Sequence, residues 1–489
     1  MKFILTQILK TLQYAAKNGG EVTLSKDVVL EEPLTISNGK SMLIDLAGWT
    51  ISSEKECTAS YSLIVNNGTL TIKDSKENGK ITFKDLGQGG GSTFGSYVIE
   101  NRGLLIINGG TIEHQGTINA LDQHNTNIPI QNYAGRVIVN DGKMVSKDFR
   151  SLRDFTAGGQ IEINGGIFEG QVWMQGLGSG STSLTITGGE FSPLAGYDGS
   201  SIYLTNGTNV INLSITGGKF TTKVGCANPD KDGVKGSIKG GVYGDNTNLD
   251  KLVADGYVIS KDGDWYEVAK GANVSSANDL SDAINNPEND MVVVSQDIDL
   301  TTSAGLSIKN DVIVDFTNNN LIAGGETTKN QSISVNGEYD VEVRNVDITG
   351  GSIMVYYGAD VLLDNVSLTY TYTQSGRNMI YAASDNDKQA IVRITSGSFK
   401  MNTQSVGGSA GSGNRYVCAH GNAIVYIEGG EFSGKPEGST YGPFEEIAIG
   451  SYYPQIIVTG GTFNFDPTAF VADGYKAVQS GSTWTVQAE

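Results

Sequence analysis

Short runs of alternating apolar and polar residues, most closed by two glycines, a variable residue and a further apolar residue, recur along the chain. They read LIINGGTI (105–112), IEINGGIF (161–168), LTITGGEF (184–191), LSITGGKF (213–220), VEVRNVDI (341–348), VRITSGSF (392–399), VYIEGGEF (425–432) and IIVTGGTF (456–463), with weaker copies VIVNDGKM (137–144) and VLLDNVSL (361–368). Side chains alternate across a strand, so Leu184 and Ile186 share one face while Thr185 and Thr187 share the other. Copies stand mostly 23 to 33 residues apart with no helical pattern between them. That period predicts a chain that coils repeatedly and stacks each short strand ~4.8 Å above its predecessor. Gly188 and Gly189 are expected to take positive-φ corners, and Phe191 to re-enter the core. Asn140-Asp141 and Asn345 are expected to stand in for glycine where the pattern weakens.

A second periodicity lies above the first. VTLSKDVVLEEPLTI (22–36) matches VVVSQDIDLTTSAGLSI (292–308), and LVADGYVISKDGDWYEV (252–268) resembles FVADGYKAVQSGSTWTV (470–486), pairing Tyr257 with Tyr475 and Trp265 with Trp484. Both members of the first match are preceded by a helical stretch: Ile4–Lys17, whose apolar residues recur at helical spacing, and Ala277–Asn285. The chain therefore reads as two tandem modules, 1–268 and 269–489. Each begins with a helix that plugs the open apolar end of its stack and ends in a Tyr/Trp hairpin that closes the other end, because an uncapped stack exposes both its core and an unpaired strand edge.

With these repeats in view, the sequence resembles the right-handed parallel β-helix, or pectate-lyase-like, superfamily, and in particular the Gly-Gly-punctuated type seen in phage appendages and gut-bacterial surface proteins. The resemblance covers nearly the whole chain. It implies an all-β fold, a right-handed parallel β-helix solenoid. It implies little about chemistry, since solenoid repeats encode stacking.

Composition narrows the partners. The 489 residues include 65 Gly, and 34 Lys plus Arg against 53 Asp plus Glu give a net charge of −19. Such a field repels phosphate backbones and anionic membranes, and no run of about 18 apolar residues is present to span a bilayer. Nucleic acid and membrane insertion are thus not expected. The first 20 residues, interrupted by Thr6, Gln7, Lys10, Thr11 and Gln13, read as a helix rather than a secretory leader. Cys57, Cys226 and Cys418 have no paired spacing for zinc or a disulfide framework.

Chemistry is sparse. Of the three histidines, only His124, in LDQHNTN (121–127), has close acidic company, and no nucleophile accompanies it. The superfamily's lyases use a calcium-binding Asp cluster and a proton-abstracting Arg, and none of the eight arginines sits in such a motif. Asp360 and Asp364 share a strand face about 13 Å apart, at ~3.3 Å per residue, too far to act as a glycosidase pair. GGEFSGK (429–435) has phosphate-loop spacing, but Pro436 stands where Ser or Thr is required. No metal, cofactor or catalytic residue is indicated.

Tyrosine stands out, with 21 copies. Tyr370 and Tyr372 on one strand face, and Tyr452-Tyr453, are the candidate binding residues, since flat rings with polar tips suit sugar stacking or a protein partner. The long insertions 85–97, 114–133, 221–236 and 402–416 are expected to form binding loops. The expected role is a non-enzymatic virion component, a capsid decoration or tail appendage made in the host cytoplasm. It would contact other virion proteins or a host-surface glycan, with trimerisation expected by analogy with tailspikes. A bacterial extracellular adhesin or carbohydrate-binding protein is the first alternative, and a polysaccharide lyase or tailspike-type glycosidase the second.

Overall fold

A strand that is apolar at every second position needs something to cover that face, and here the chain covers itself. The computed structural model describes residues 2–86, 95–115, 127–156, 158–178, 180–193, 199–205, 210–226, 233–323, 331–371, 378–401, 415–434 and 442–489. Over these residues the protein is all-β, with two α-helices and a large sheet whose pairings are mostly parallel. The Cα positions separate into two compact units, Met1–Val268 and Ala269–Glu489.

In the first unit, strands Gly20–Thr23, Ser41–Asp45, Thr69–Lys73 and Leu104–His114 pair in parallel in that order. The row continues through Arg136–Thr156, Gln160–Ile163, Thr182–Ile186, Ile211–Ile215 and Val234–Ile238. Register is kept, so that Ile72, Ile107, Val139, Ile163, Ile186 and Ile215 lie rung over rung, each fully buried. Two further parallel rows run through the unit. One passes through Thr50–Lys55, Lys80–Asp85, Glu190–Ser192 and Lys219–Phe220. The other passes through Tyr61–Asn66, Ser96–Asn101, Asn127–Tyr133 and Ile202–Leu204. Strand Arg136–Thr156 contributes to all three rows. Burying each Ile or Leu contributes roughly 1.5–3 kcal/mol.

The second unit repeats the scheme. Met291–Val294, Val312–Asp315, Asp340–Thr349, Asp360–Tyr370, Ala390–Ile394, Ala423–Ile427 and Gln455–Val458 form one parallel row. Leu306–Ile308, Ile333–Asn336, Ile353–Tyr356, Asn378–Ser384, Arg415–Gly421 and Phe444–Ile447 form a separate six-stranded parallel sheet.

Where an aromatic residue follows the glycines of a repeat, it enters the core and stacks on its counterpart one rung away. Phe168, Phe191, Phe220 and Tyr243 form a column with centroids 4.9, 4.7 and 4.8 Å apart and rings within 11° of parallel. Phe399, Phe432 and Phe463 do the same in the second unit. Helix Lys2–Asn18 buries Leu12, Ala15 and Ala16 in the first core. Helix Ala277–Ile284, capped by Ser276, which accepts from the Asp279 amide, buries Leu280, Ala283 and Ile284 in the second.

Three sequence expectations need correction. Gly188 does not take positive φ; only Gly189 does, at +100°. Gly188 is required for another reason, because a Cβ there would lie 2.6 Å from the backbone carbonyl oxygen of Asn164 on the preceding rung. Asn345 does take the left-handed conformation, at φ +55°, whereas at Asn140-Asp141 the positive φ falls on the following Gly142. The hairpin alignment also slips by one residue. Tyr266, not Trp265, occupies the place of Trp484, since Tyr266 pairs antiparallel with Tyr243 as Trp484 does with Phe463.

Candidate functional site

The tyrosines singled out in the sequence scatter. Tyr370 is 2% exposed and lies in the second core, in register with Met401, so its ring offers no surface to a ligand. Its neighbours along the strand, Val366 and Leu368, are equally buried, and period two carries Tyr370 inward with them. Tyr372 and His124 lie outside the described residues, as does part of each long insertion. Tyr452 donates from Oη to Asp387 Oδ1 at 2.7 Å, which raises its phenol pKa, and Tyr453 is 77% exposed.

The structure instead gathers aromatic residues on the outward face of the six-stranded sheet of the second unit. Ile353, Val355, Ile380 and Ala382 point into the core, so period two sends Met354, Tyr356 and Tyr381 outward. The Tyr356 ring stacks against Tyr357 at 5.9 Å and meets Tyr381 edge-on at 5.8 Å. Tyr381 Oη lies 2.6 Å from His420 Nδ1 on the adjacent strand. Burial pushes the Tyr381 phenol up to about 12, reinforced by Cys418 and by the two neighbouring tyrosines, so it stays protonated near neutrality. The group presents two phenol rings and an imidazole from the sheet and a third ring, Tyr357, from the turn that follows it, which suits stacking on sugar rings with hydrogen bonds at their edges.

On another row of the same unit, a cleft of about 520 Å³ is lined by Asp290, Asp311, Asp340, Glu342, Asp360, Leu362 and Arg393 among others. Asp340 and Asp360 are register partners on adjacent parallel strands, so their backbones are ~4.8 Å apart. Burial raises the Asp360 carboxyl above the usual carboxylate range; Arg393, 3.8 Å away, opposes the shift and Asp340 adds to it. Arg393 also stacks on the Tyr426 ring at 4.5 Å. Asp364 faces elsewhere, accepting from Ser396 Oγ at 3.1 Å and from Thr395. No group of three or more His, Cys, Asp or Glu among the described residues is arranged to hold a metal ion.

The first unit carries a mixed outward column, Gln131, Arg153, Trp173 and Tyr203, one residue per rung. Arg153 is 6% exposed, donating from Nε to Gln131 Oε1 at 2.6 Å and from Nη2 to Tyr97 Oη at 3.4 Å. Elsewhere His114 is fully buried and lies 3.0 Å from Ser96 Oγ; burial lowers its pKa to about 4. Burial also pushes the Cys57 and Cys418 thiols up, to about 12 and about 11, with nearby Asp85 and Glu445 adding to the respective shifts. Neither is an activated nucleophile. No helix among the described residues is long and apolar enough to cross a membrane.

The signal that could have found the Tyr356, Tyr381 and His420 group is weak. Only Tyr356-Tyr357 is visible as a pair, and its partners come from strands 25 and 64 residues further on. Compared with protein-family models, with curated proteins and with solved structures, the chain matches none.

Proposed function

We propose that the two units are right-handed parallel β-helix modules of a non-enzymatic bacteriophage virion component, a capsid decoration or tail appendage that presents a rigid surface to a host glycan. The recurring parallel register, repeated every 20 to 40 residues, supports the helical coiling. The observation that carries the binding role is the outward cluster of Tyr356, Tyr357 and Tyr381 with His420, held on a sheet whose inner face is sealed in the core. The remaining outward faces are left for neighbouring virion proteins.

The test is calorimetry of the full chain against capsular and cell-wall polysaccharides of candidate hosts, with Tyr356→Ala and Tyr381→Ala beside it. A ring contact of ~0.5–1.5 kcal/mol predicts an affinity loss of about 2- to 10-fold for each variant. Binding by the wild type that neither variant weakens would refute the site. Mass spectrometry of purified particles tests the virion assignment, and light scattering tests for a trimer.

A second reading, glycan hydrolysis, is favoured by one observation: adjacent rungs bring Asp340 and Asp360 together in a cleft where one carboxyl is raised. Release of reducing ends that Asp360→Asn abolishes would establish it over the binding role.

A further inference from the structure

Asn66, Asn101, Asn132 and Asp154 stand in register on four successive rungs of the first unit, all with no solvent exposure. Their side chains form a ladder. Asn66 Nδ2 donates to Asn101 Oδ1 at 2.8 Å and to the Leu104 carbonyl at 2.9 Å. Asn101 Nδ2 donates to Asn132 Oδ1 at 2.8 Å and to the carbonyls of Arg136 and Gly103 at 3.1 and 3.2 Å. Asn132 Nδ2 donates to Asp154 Oδ1 at 2.6 Å and to the Gly135 carbonyl at 2.9 Å. Each amide thus donates with nitrogen to the side-chain oxygen of the next rung and to a nearby backbone carbonyl; Asn101 and Asn132 accept with oxygen from the rung below, and Asn66 from the Gly68 amide of its own turn.

Asp154 keeps the accepting half and breaks the donating half. Its Oδ2 is buried and no donor among the described residues reaches it. The turn closes over the carboxyl so tightly that a Cβ on Gly159 would lie 2.5 Å from Oδ2, and the next rung offers only Met174. An ionised carboxylate in this place would carry a charge with one side-chain hydrogen bond and no exposure to solvent, whereas the acid form supplies an O–H where the rungs below have a donating amide.

We propose that Asp154 is the uncharged, proton-carrying end of this ladder, and that the first unit is held together in part by one proton that it surrenders as the solution turns alkaline. Burial, opposed only by the Asn132 hydrogen bond, pushes the carboxyl up to about 7. The charged groups on the packed strands face other partners: Arg153 turns to Gln131 and Tyr97, Arg150 lies over the Phe149 and Trp173 rings, Arg136 turns to Glu162, and Glu100 to Ser62 and Arg102. With a folded pKa above the unfolded 3.8, the stabilisation is complete below that value and is lost as pH rises through about 7. His114 acts in the opposite sense. Its folded pKa of about 4 lies below the unfolded 6.5, so it costs stability as pH falls from 6.5 to 4 and masks the Asp154 slope in the wild type.

The informative quantity is therefore the difference between wild type and Asp154→Asn, measured on the full chain by denaturant unfolding from pH 4 to 8.5. An asparagine restores the donor permanently. The variant should gain on the wild type as pH rises from 4 to 7 and hold that gain above, up to about a thousandfold in the folding equilibrium constant for a carboxyl moved from 3.8 to about 7. A difference that does not change with pH overturns the proposal. A second measurement does not depend on the variant folding: the infrared carbonyl stretch of a protonated carboxyl, recorded in an Asp360→Asn background so that the other raised carboxyl does not contribute. The band should be present at pH 6, and its absence there also overturns the proposal.

Discussion

In the pair Gly188-Gly189 the two glycines are needed for two different reasons, and a pair of substitutions separates them. At Gly188 a Cβ would lie 2.6 Å from the Asn164 carbonyl oxygen, whereas at Gly189 it would lie 3.1 Å from that of Gly166, but at φ +100°. Backbone oxygen cannot swing aside as a side-chain tip can. Asparagine at 188 must therefore push the rungs apart by at least about 0.4 Å, straining the Thr187 to Ile163 and Glu190 to Gly166 backbone bonds of 2.8 and 2.9 Å beside it. Overpacking of this kind costs about 1–3 kcal/mol, and weakening a ladder bond adds about 1 kcal/mol, so Gly188→Asn should lose about 2–4 kcal/mol. At 189 an asparagine needs only to hold positive φ, as Asn345 and Asn365 do at +55° and +50° in the second unit, at a cost of about 1 kcal/mol. Urea unfolding of the full chain, followed by near-ultraviolet circular dichroism, measures both. The reasoning fails if Gly189→Asn proves as costly as Gly188→Asn, or if Gly188→Ala is neutral.

The remaining predictions concern the core. Phe191→Leu preserves hydrophobicity but removes two ring stacks, with Phe168 and Phe220, and should cost about 1–3 kcal/mol by the same unfolding assay; a loss below about 0.5 kcal/mol would show that the column adds nothing beyond buried area. Ile186→Asp places an unpaired charge at a fully buried rung and should unfold the first unit outright, whereas Thr185→Ala, one residue away on the half-buried outer face, should stay within about 0.5 kcal/mol in a thermal melt. Equal effects would reverse the assignment of inside and outside.

Much of the fold was legible because local and long-range demands coincide in a repeated strand. Ile186 must point inward to bury itself, and the same alternation puts Ile163 and Ile215 above and below it, so one period-two pattern specifies both the strand and its neighbours. Both helices were legible, the first from its apolar spacing and the second from its place ahead of the repeated segment. What escaped was geometry that depends on the rung beneath. Nothing in ITGGEF distinguishes a glycine that needs positive φ from one that needs an absent Cβ, because the offending Asn164 oxygen lies 24 residues earlier. The hairpin pairing is a different case: the two 17-residue strings, aligned without a gap, already set Tyr266 against Trp484, and the pairing of these residues with Tyr243 and Phe463 agrees.

The candidate site was harder to read for a reason that follows from the fold itself. In a parallel stack the residues that share a surface patch are those on neighbouring rungs, separated along the chain by the length of a full turn. Tyr356, Tyr381 and His420 therefore form one group while lying 25 and 39 residues apart, and no contiguous motif announces them. Tyr370 shows the converse, since a local pair of aromatic residues at i and i+2 says that they share a face but not which face. The burial of Val366 and Leu368 at the same parity decides that it is the inner one. Outward positions that share a patch are therefore legible only as columns. On this sheet the proposed binding site is such a column, Tyr381 beside Tyr356 and His420.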